Sequence, residues 1–276
     1  MHLTREHIDA YCLSLLADER SAGTISKYRR DLTAFSLWLD GRAVTKESAT
    51  AWKACLLNRD YAPRTVNSML AAVNGFCRFA GLPIKLKFLS IQRQIFRDSS
   101  RELTKEEYDR LLTAAREGDQ ERLALIMETL CATGIRVSEL RYITVEAALA
   151  GRATITLKGK IRTILLPAKL CRKLVKYARK QKTASGEIFL TKSGRPITRR
   201  QVWFELKRLC KAAGVEPTKV FPHNLRHLFA TTFYRASRDI VRLADMLGHS
   251  SIDTTRIYLT VSGTEQQRQL DRLGLV

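Results

Sequence analysis

Apolar side chains recur at intervals of three or four residues in two strong segments of residues 1–82. The first segment is formed by Ile25, Tyr28, Leu32, Phe35 and Leu39. The second begins at Pro63, a residue suited to the first turn of a helix. Weaker helical patterns cover residues 5–17 and 46–58. Together these patterns predict a compact four-helix domain over the whole of this region.

The next segment, residues 83–101, shows no sustained hydrophobic period and carries five basic side chains against one acidic side chain. Weak periodicity with excess positive charge is typical of a solvated linker. Thr104 and Glu107 then stand at the spacing of a capping box, in which a hydroxyl and a carboxylate satisfy free backbone donors at a helix start. The sequence therefore predicts a basic interdomain linker over 83–101 and a second domain over 102–276.

The second domain combines helical patterns with one predicted hairpin. A helical pattern ends at Gly134, and a further helix is predicted to start at Arg136. Alternating, β-branched stretches at 153–157 and 162–167 flank a short turn, which is typical of an antiparallel hairpin. The remainder is predicted to be helical, apart from a short strand at 187–191. The predicted fold is therefore mainly α, with a four-helix N-terminal domain and an α+β domain that contains a small antiparallel sheet.

Residues 223–227, HNLRH, gather two histidines and an arginine where a polar loop gives way to an apolar run. Because Pro222 breaks any earlier helix, His223 is predicted near a helix N-terminus, where unpaired N–H groups favour an anion. Arg226, one turn on, adds a forked and permanently charged donor for phosphate. Two other interpretations are a capped helix with surface histidines and a zinc site, although Asn224 stands where the HExxH motif needs glutamate.

Basic residues exceed acidic residues strongly, with 48 Lys and Arg against 27 Asp and Glu and a formal net charge of +21. Residues 136–220 alone hold 21 basic and 5 acidic side chains. This excess favours a polyanionic partner, nucleic acid ahead of an anionic membrane surface. The alternative is a solvated lysine-rich surface, but such surfaces usually intersperse both signs.

The sequence also indicates the cellular compartment of the protein. No apolar run approaches the roughly 18 residues of a membrane-spanning helix, and the start, MHLTREHIDA, is too charged for a secretory signal. The six cysteines are scattered without a CxxC pair and are interpreted as reduced core residues. A cytoplasmic protein is expected.

Four blocks follow one another along the second domain. They are ATGIRVSEL (132–140), LKGKIRTILLP (157–167), HNLRH (223–227) and LGHSSIDTTRIY (247–258). Their order, and the nine residues from His249 to Tyr258, resemble the tyrosine recombinase (phage integrase) family. The resemblance implies a site-specific DNA recombinase with a core-binding (SAM-like) N-terminal domain, where the likeness is architectural. Tyr258 taken alone is more typical of a packing residue, but these blocks favour a nucleophile.

The resemblance implies that several side chains act on one DNA phosphate. Arg136 and Arg226 are implied to clamp its non-bridging oxygens, and His223 and His249 to complete the pocket. Tyr258 matches the nucleophile, which is implied to form a 3′-phosphotyrosyl bond.

The family pattern also extends to supporting positions. Lys158 matches the lysine at the hairpin turn, which is implied to protonate the departing 5′ oxygen. The turn is one residue tighter than the commoner family form, so Lys160 remains an alternative for this role. Glu139 fits a position that supports the pocket. Residues 234–239 lack the glycine that is usual there, and a short helix from about Gly263 matches the element that the family donates to a neighbouring subunit.

Phosphodiester cleavage requires these residue types. Its transition state gathers negative charge on the phosphate oxygens, which fixed positive donors stabilise most strongly where water is excluded. A phenol is a weak nucleophile until a base or a positive field favours the phenolate. The sequence offers no carboxylate cluster for magnesium, so no metal and no cofactor are expected.

Two alternative functions remain open. A type IB topoisomerase would use the same tyrosyl chemistry as a monomer and would relax supercoiled DNA without a defined site. A non-catalytic architectural DNA-binding protein would keep the basic surface but would not need the complete set of catalytic residue types. Completeness of that set therefore favours a recombinase.

The expected partner is double-stranded DNA with a specific recombination site. Candidate DNA contacts, for which ordinary surface charge is the alternative, are Lys27, Arg30 and Arg64 in the first domain and Arg199 and Arg200 on the first turn of a helix predicted over 199–212. Because recombination joins two duplexes, a homo-oligomer, a tetramer on DNA, is expected.

Overall fold

The computed structural model describes residues 1–91, 99–157, 160–258, 267–268 and 271–274. The chain divides into two compact units, Met1–Arg93 and Gln94–Val276. Helices predominate in both units, which confirms the mainly α prediction. Within the described ranges, no helix is long and apolar enough to cross a membrane. The division into domains 1–82 and 102–276 with a linker between them remains a prediction.

The first unit is a four-helix unit, as predicted. Its helices are α1 (Arg5–Ala17), α2 (Ala22–Leu39), α3 (Lys46–Asn58) and α4 (Pro63–Phe79). The hydroxyls of Thr4, Ser21 and Thr45 cap the first three helices by accepting from backbone N–H groups. Proline at the start of α4 has no N–H to satisfy. The core of this unit includes large side chains from α2 to α4 that are at most 2% exposed, among them Leu32, Phe35, Trp52, Val66, Leu70 and Phe76.

Two asparagines of α4 hold the chain that follows this helix. Asn74 accepts from Leu86 N at 2.7 Å and donates to Leu86 O at 3.0 Å. Asn67 makes the same pair of bonds with Leu89, at 2.7 and 2.9 Å. A carboxamide can donate and accept at once, so each asparagine substitutes for a strand partner. The predicted linker is therefore packed on the first unit as far as Leu89, and Leu86 is buried.

The second unit is helical around one hairpin. Its elements are α5 (Lys105–Glu117), α6 (Glu121–Thr133), α7 (Val145–Ala150), β1 (Arg152–Leu157), β2 (Lys160–Leu165), α8 (Ala168–Lys180), α9 (Arg199–Ala213), α10 (Pro222–Ser237), α11 (Ile240–Leu247) and α12 (Ile252–Thr255). Short 3₁₀ helices add Ser99–Arg101, Val137–Tyr142, Pro217–Lys219 and Arg256–Tyr258. The predicted caps Thr104 and Thr198 begin α5 and α9. The helix predicted from about Gly263 lies mainly outside the described residues.

Strand β2 begins two residues earlier than predicted. The antiparallel register pairs Leu157 with Lys160, and residues 158–159 between them lie outside the described residues. Ile161, predicted in the turn, is β-branched and belongs to the strand instead, where it pairs with Thr156. The small antiparallel sheet is confirmed.

The strand predicted at 187–191 is reduced to two single bridge pairs. Thr144 pairs with Glu187 and Leu190 with Pro196. Ile188 and Phe189 between them are each 1% exposed, so the apolar run packs into the core without a continuous strand partner. A short apolar run is compatible with a strand and with a buried irregular segment, and hydrophobic periodicity alone does not distinguish the two.

The joint between α10 and α11 contains a residue in the left-handed conformation. Arg238 follows α10 with φ +54° and donates its backbone N–H to Tyr234 O at 2.8 Å. The chain turns at this point, in the segment that lacks glycine, so an arginine takes the left-handed position here. A Cβ in this backbone region costs about 1 kcal/mol relative to glycine.

We expect Arg238→Gly to raise the free energy of unfolding by about 0.5–1 kcal/mol, because glycine adopts the left-handed conformation without strain. The matched control is Arg235→Gly, an exposed arginine in the last turn of the same helix. That change should lower the free energy of unfolding by about 1 kcal/mol, because glycine is a poor helix former. Urea denaturation followed by circular dichroism measures both. A loss of stability for both variants would contradict the assigned strain.

Candidate active site

A buried carboxylate links two arginines at the start of the site. The predicted α-helix from Arg136 is a 3₁₀ helix instead, with Arg136 as its N-terminal cap residue, and this tight turn brings Glu139 back to the same arginine. Glu139 accepts from Arg136 N at 2.7 Å and Nη1 at 3.1 Å, and from Arg162 Nη2 at 2.7 Å. Because Glu139 is 1% exposed, its charge depends on these partners for stabilisation.

Helix α10 places Arg226 in the interior, where it is 2% exposed. Its Nη1 donates to Gly134 O at 2.6 Å, and its Nη2 donates to Leu247 O at 2.8 Å. Both acceptors lie at helix C-termini, since Gly134 caps α6 and Leu247 ends α11. Carbonyl groups at helix C-termini lack partners within the helix and carry partial negative charge, so they favour a cation. Two helix ends therefore fix one guanidinium.

His249 is bonded to the same guanidinium. Its Nε2 lies 3.0 Å from Arg226 Nη2, and its Nδ1 lies 2.9 Å from Thr255 Oγ1. A guanidinium can only donate, so Nε2 accepts and the neutral ring carries its proton on Nδ1, which donates to the hydroxyl. Burial, followed by the charges of Arg226, Arg136 and Arg162, lowers the pKa of His249 to about 4. The ring is neutral at pH 7.

Tyr258 is buried against this group. It ends the 3₁₀ helix Arg256–Tyr258 and is 3% exposed. Its ring is stacked on that of His249, with centroids 6.1 Å apart, and lies 5.0 Å from the ring of His227. Burial, and after it the charge of Arg136, lowers the pKa of Arg226 to about 10. The electrostatic interaction and the hydrogen bond with Tyr258 raise this pKa. The phenol oxygen therefore lies beside the Arg226 guanidinium.

His223 is the second residue of α10, and its side chain is partly exposed on the first turn of this helix. Partial burial of its ring lowers its pKa, and the charges of Arg226, Arg136 and Arg199 lower it further. The effect of Arg199 shows that the first turn of α9 lies within electrostatic range of the site. His223 is therefore also neutral at pH 7.

The structure brings five of the six predicted residues into one neighbourhood: Arg136, His223, Arg226, His249 and Tyr258. Lys158 lies outside the described residues, and Lys160 is described by its backbone in β2.

Sequence reasoning missed Arg162, Thr255 and His227. The alternation of inward-facing and outward-facing residues along the hairpin could have identified Arg162, because this arginine stands at an inward-facing position. The residue pairs with Ile155, and Ile164 stands two positions further on the same face, with Ile155 and Ile164 both buried. An arginine in a row of buried positions indicates a specific partner inside the fold.

Two of the three predicted DNA contacts of the first unit share a different carboxylate. Lys27 Nζ binds Asp31 Oδ2 at 2.6 Å and Ser68 O at 3.1 Å, and Arg30 Nη2 lies 3.2 Å from Asp31 Oδ1. Asp31 is 4% exposed. Arg64 lines a cavity of about 550 Å³ with Lys27 and Arg30. In the second unit, Arg199 and Arg200 are exposed at the start of α9.

Family models match both parts of the chain. Residues 101–265 match the phage integrase family, and residues 8–81 match the phage integrase N-terminal SAM-like domain. The tyrosine recombinase XerA of Pyrococcus furiosus is 30% identical over 99% of this chain and 96% of its own length. The tyrosine recombinase XerC of Roseiflexus castenholzii is 33% identical over 92% of this chain and 88% of its own length.

Solved structures with the same fold are described as recombinase complexes with DNA. A pre-cleavage complex of the XerH site-specific recombinase with its difH substrate has a TM-score of 0.70 at 17% identity and covers 97% of this chain and 84% of its own. A lambda integrase tetramer bound to a Holliday junction has a TM-score of 0.72 at 19% identity and covers 92% of this chain and 76% of its own.

The chain belongs to the phage integrase family, which confirms the resemblance drawn from its four sequence blocks. It is an enzyme of the tyrosine recombinase class, and its function is site-specific cleavage and rejoining of DNA strands.

We expect the ring of His249 to titrate near pH 4 in the free protein, because three neighbouring guanidinium groups and burial disfavour its cation. Its folded pKa lies below the ordinary value of about 6.5, so the unfolded chain binds more protons between these values. The free energy of unfolding should therefore fall as the pH decreases from about 6.5 towards 4. Nitrogen NMR of the imidazole measures the titration, with the urea-unfolded chain as control. A folded-state titration near 6.5 would contradict this electrostatic environment.

Proposed function

We propose that this recombinase cleaves one DNA phosphate at the site formed by Arg136, His223, Arg226, His249 and Tyr258. The two arginines bind the non-bridging oxygens, and the two histidines complete the pocket. Tyr258 attacks the phosphorus, forms a 3′-phosphotyrosyl bond and releases the 5′ oxygen. Reversal of this attack by a 5′ hydroxyl of a second duplex rejoins the strands, and the energy of the broken bond is retained in the covalent intermediate.

The charge of the site is the observation that supports this proposal most strongly. Arg136, Arg162 and Arg226 all lower the pKa of His249, so three guanidinium groups act on one position. Among the described residues, Glu139 is the carboxylate bonded to two of them, and Arg226 is held by neutral carbonyl groups. An excess of fixed positive charge in a partly desolvated site is stabilised by an anion, and most by the more highly charged transition state.

The buried environment of Tyr258 supports its role as the nucleophile. Its hydroxyl lies beside the Arg226 guanidinium, one of the two groups proposed to bind the phosphate that the phenol oxygen attacks. Both ring nitrogens of His249 are bonded, to Arg226 and to Thr255. His223, whose pKa is lowered by burial and by neighbouring arginines, is therefore the proposed acceptor for the phenolic proton.

Lys158 is proposed as the general acid that protonates the departing 5′ oxygen. The sequence predicts it at the hairpin turn, directly after Leu157, the last residue of β1. Lys160 stands at the other end of this turn, as the first residue of β2, and is the alternative. A protonated lysine provides the proton without an added cofactor.

The arrangement of the chain on DNA follows from the same family. We infer that residues 1–82 bind the duplex through Lys27, Arg30 and Arg64, that 83–101 is a basic linker, and that 102–276 carries out catalysis with Arg199 and Arg200 at a major groove. The partner is duplex DNA with a specific recombination site, and the reaction takes place in the cytoplasm.

A tetramer on DNA is proposed because exchange requires two duplexes and therefore four cleavages. The lambda integrase to which this fold is similar is described as a tetramer on a Holliday junction. A cavity of about 540 Å³ on the second unit is lined by apolar side chains that include Tyr108, Leu170, Leu228, Phe229 and Phe233. It offers a surface for the C-terminal element of a neighbouring subunit.

Tyr258→Phe should abolish covalent capture of DNA, because the ring remains but the attacking oxygen is removed. The measurement uses a nicked duplex from which cleavage releases a short fragment, so that religation is prevented, with sites recovered by binding selection from a random library. A denaturant-resistant adduct is expected with the unchanged protein. The control is Tyr177→Phe, a buried tyrosine of α8 that is 6% exposed. An adduct that persists in Tyr258→Phe would contradict the assignment of the nucleophile.

Lys158→Met should slow cleavage by about 10²–10⁴-fold, the usual contribution of general acid catalysis. A duplex with sulfur in place of the bridging 5′ oxygen should restore the rate, because a thiolate leaves without protonation. Lys160→Met is the matched control and should cleave both duplexes at nearly the normal rate. The reverse result would assign the acid to Lys160, and a Lys158→Met defect that persists with sulfur would contradict proton donation.

A further inference from the structure

Arg162 occupies a buried position of the hairpin that is otherwise apolar. Its partner across the sheet is Ile155, which is 1% exposed, and Ile164 on the same face of β2 is 5% exposed. The Arg162 side chain itself is 16% exposed. A guanidinium in such a row loses much of its hydration, so its position requires strong hydrogen-bond acceptors inside the fold.

Two acceptors from distant segments satisfy this requirement. Arg162 Nη2 donates to Glu139 Oε2 at 2.7 Å, and Nη1 donates to Met246 O at 3.0 Å. Glu139 is also the partner of Arg136, and Met246 lies in the last turn of α11, three residues before His249. The planar fork of one guanidinium therefore bridges the segment that carries an active-site arginine and the segment that carries an active-site histidine.

Gly248 fits closely against the same side chain. A Cβ at this position would lie 2.6 Å from Arg162 Cδ and 2.8 Å from Arg162 Cζ, both much shorter than van der Waals contact. Gly248 also has φ +65°, which favours glycine on its own account. The backbone immediately before His249 therefore rests on the Arg162 side chain.

We propose that Arg162 is a positioning residue for DNA cleavage, which holds the Gly248–His249 segment at a fixed distance from Arg136 through the shared carboxylate of Glu139. Without this bridge, the Gly248–His249 segment loses its link through Arg162 and Glu139 and is held near Arg136 less firmly, through the bonds of Arg226 to Gly134, Leu247 and His249. A phosphate then contacts the two arginines less well in the transition state. This inference rests on the proposed roles of Arg136, Arg226 and His249.

The test compares Arg162→Met, which keeps the approximate length but removes the charge and the donors, with Arg162→Lys, which keeps the charge but lacks the fork. Arg152→Met is the matched control, because Arg152 is an exposed arginine on the neighbouring strand β1. The readouts are the single-turnover cleavage rate on the nicked duplex, the dissociation constant for that duplex and the titration of His249 by NMR.

Arg162→Met should slow cleavage by about 10²-fold, the effect of a displacement near 1 Å at a reacting centre, and should change duplex affinity much less. It should also raise the pKa of His249, because one of the charges that lower this pKa is removed. Arg162→Lys should recover the low pKa of His249 but only part of the rate, since an ammonium cannot bridge both acceptors with planar geometry. Arg152→Met should match the unchanged protein.

A double-mutant comparison keeps the proposal testable if one variant is unstable. Gly248→Ala should slow cleavage strongly when Arg162 is present and should have a smaller effect in the Arg162→Ala background, where the space is open and the strain of the positive φ remains. Effects that multiply independently would contradict the close contact as the cause.

The outcomes separate this inference from the proposed function. If the unchanged protein forms no covalent adduct, the proposed function fails. If the unchanged protein forms the adduct and Arg162→Met cleaves at the same rate with an unchanged His249 titration, the proposed function stands and the positioning role of Arg162 is wrong.

Discussion

The carboxylate of Glu139, buried between the guanidinium groups of Arg136 and Arg162, is the interaction on which the candidate site depends. An isolated charge at such a position would be strongly disfavoured, so the three side chains are stable only together. Their sum is still positive, and Arg226 adds a further cation that is held by carbonyl groups rather than by an acid. The protein thus holds positive charge in a defined geometry, and the proposed role of a DNA phosphate is to supply the missing negative charge.

The packing of helices determines where this charge lies. Arg226 bonds to residues 92 and 21 positions away in the chain, Gly134 at the end of α6 and Leu247 at the end of α11. The last turns of these helices leave carbonyl groups free, and the guanidinium uses them in place of water. Formation of the site is therefore a direct consequence of the folding of the second unit, and His249 and Tyr258 follow α11 into the same region.

Local patterns predicted the helices and the hairpin, because amphipathic periodicity, caps and proline positions act within a few residues. Thr104 and Thr198 begin helices for this reason. The same local information could not separate a buried loop from a strand at 187–191, nor an α-helix from the 3₁₀ turn after Arg136. Ordered motifs predicted the residues of the candidate site, five of which lie near one another in the fold and whose catalytic roles stay predictions. The bridging position of Arg162 depends on contacts 23 and 84 residues apart and is visible only once the chain is folded.

In the proposed reaction, the site arginines bind the oxygens of the DNA phosphate in the transition state. A crystal structure of the protein with a nicked duplex and vanadate tests this binding most directly, because vanadate adopts the geometry of the phosphoryl-transfer transition state. The charge distribution predicts vanadium bonded to Tyr258 Oη, with equatorial oxygens about 3 Å from side-chain nitrogens of both Arg136 and Arg226. Vanadium oxygens that touch neither guanidinium, or a Tyr258 phenol that remains packed away from the metal, would contradict it.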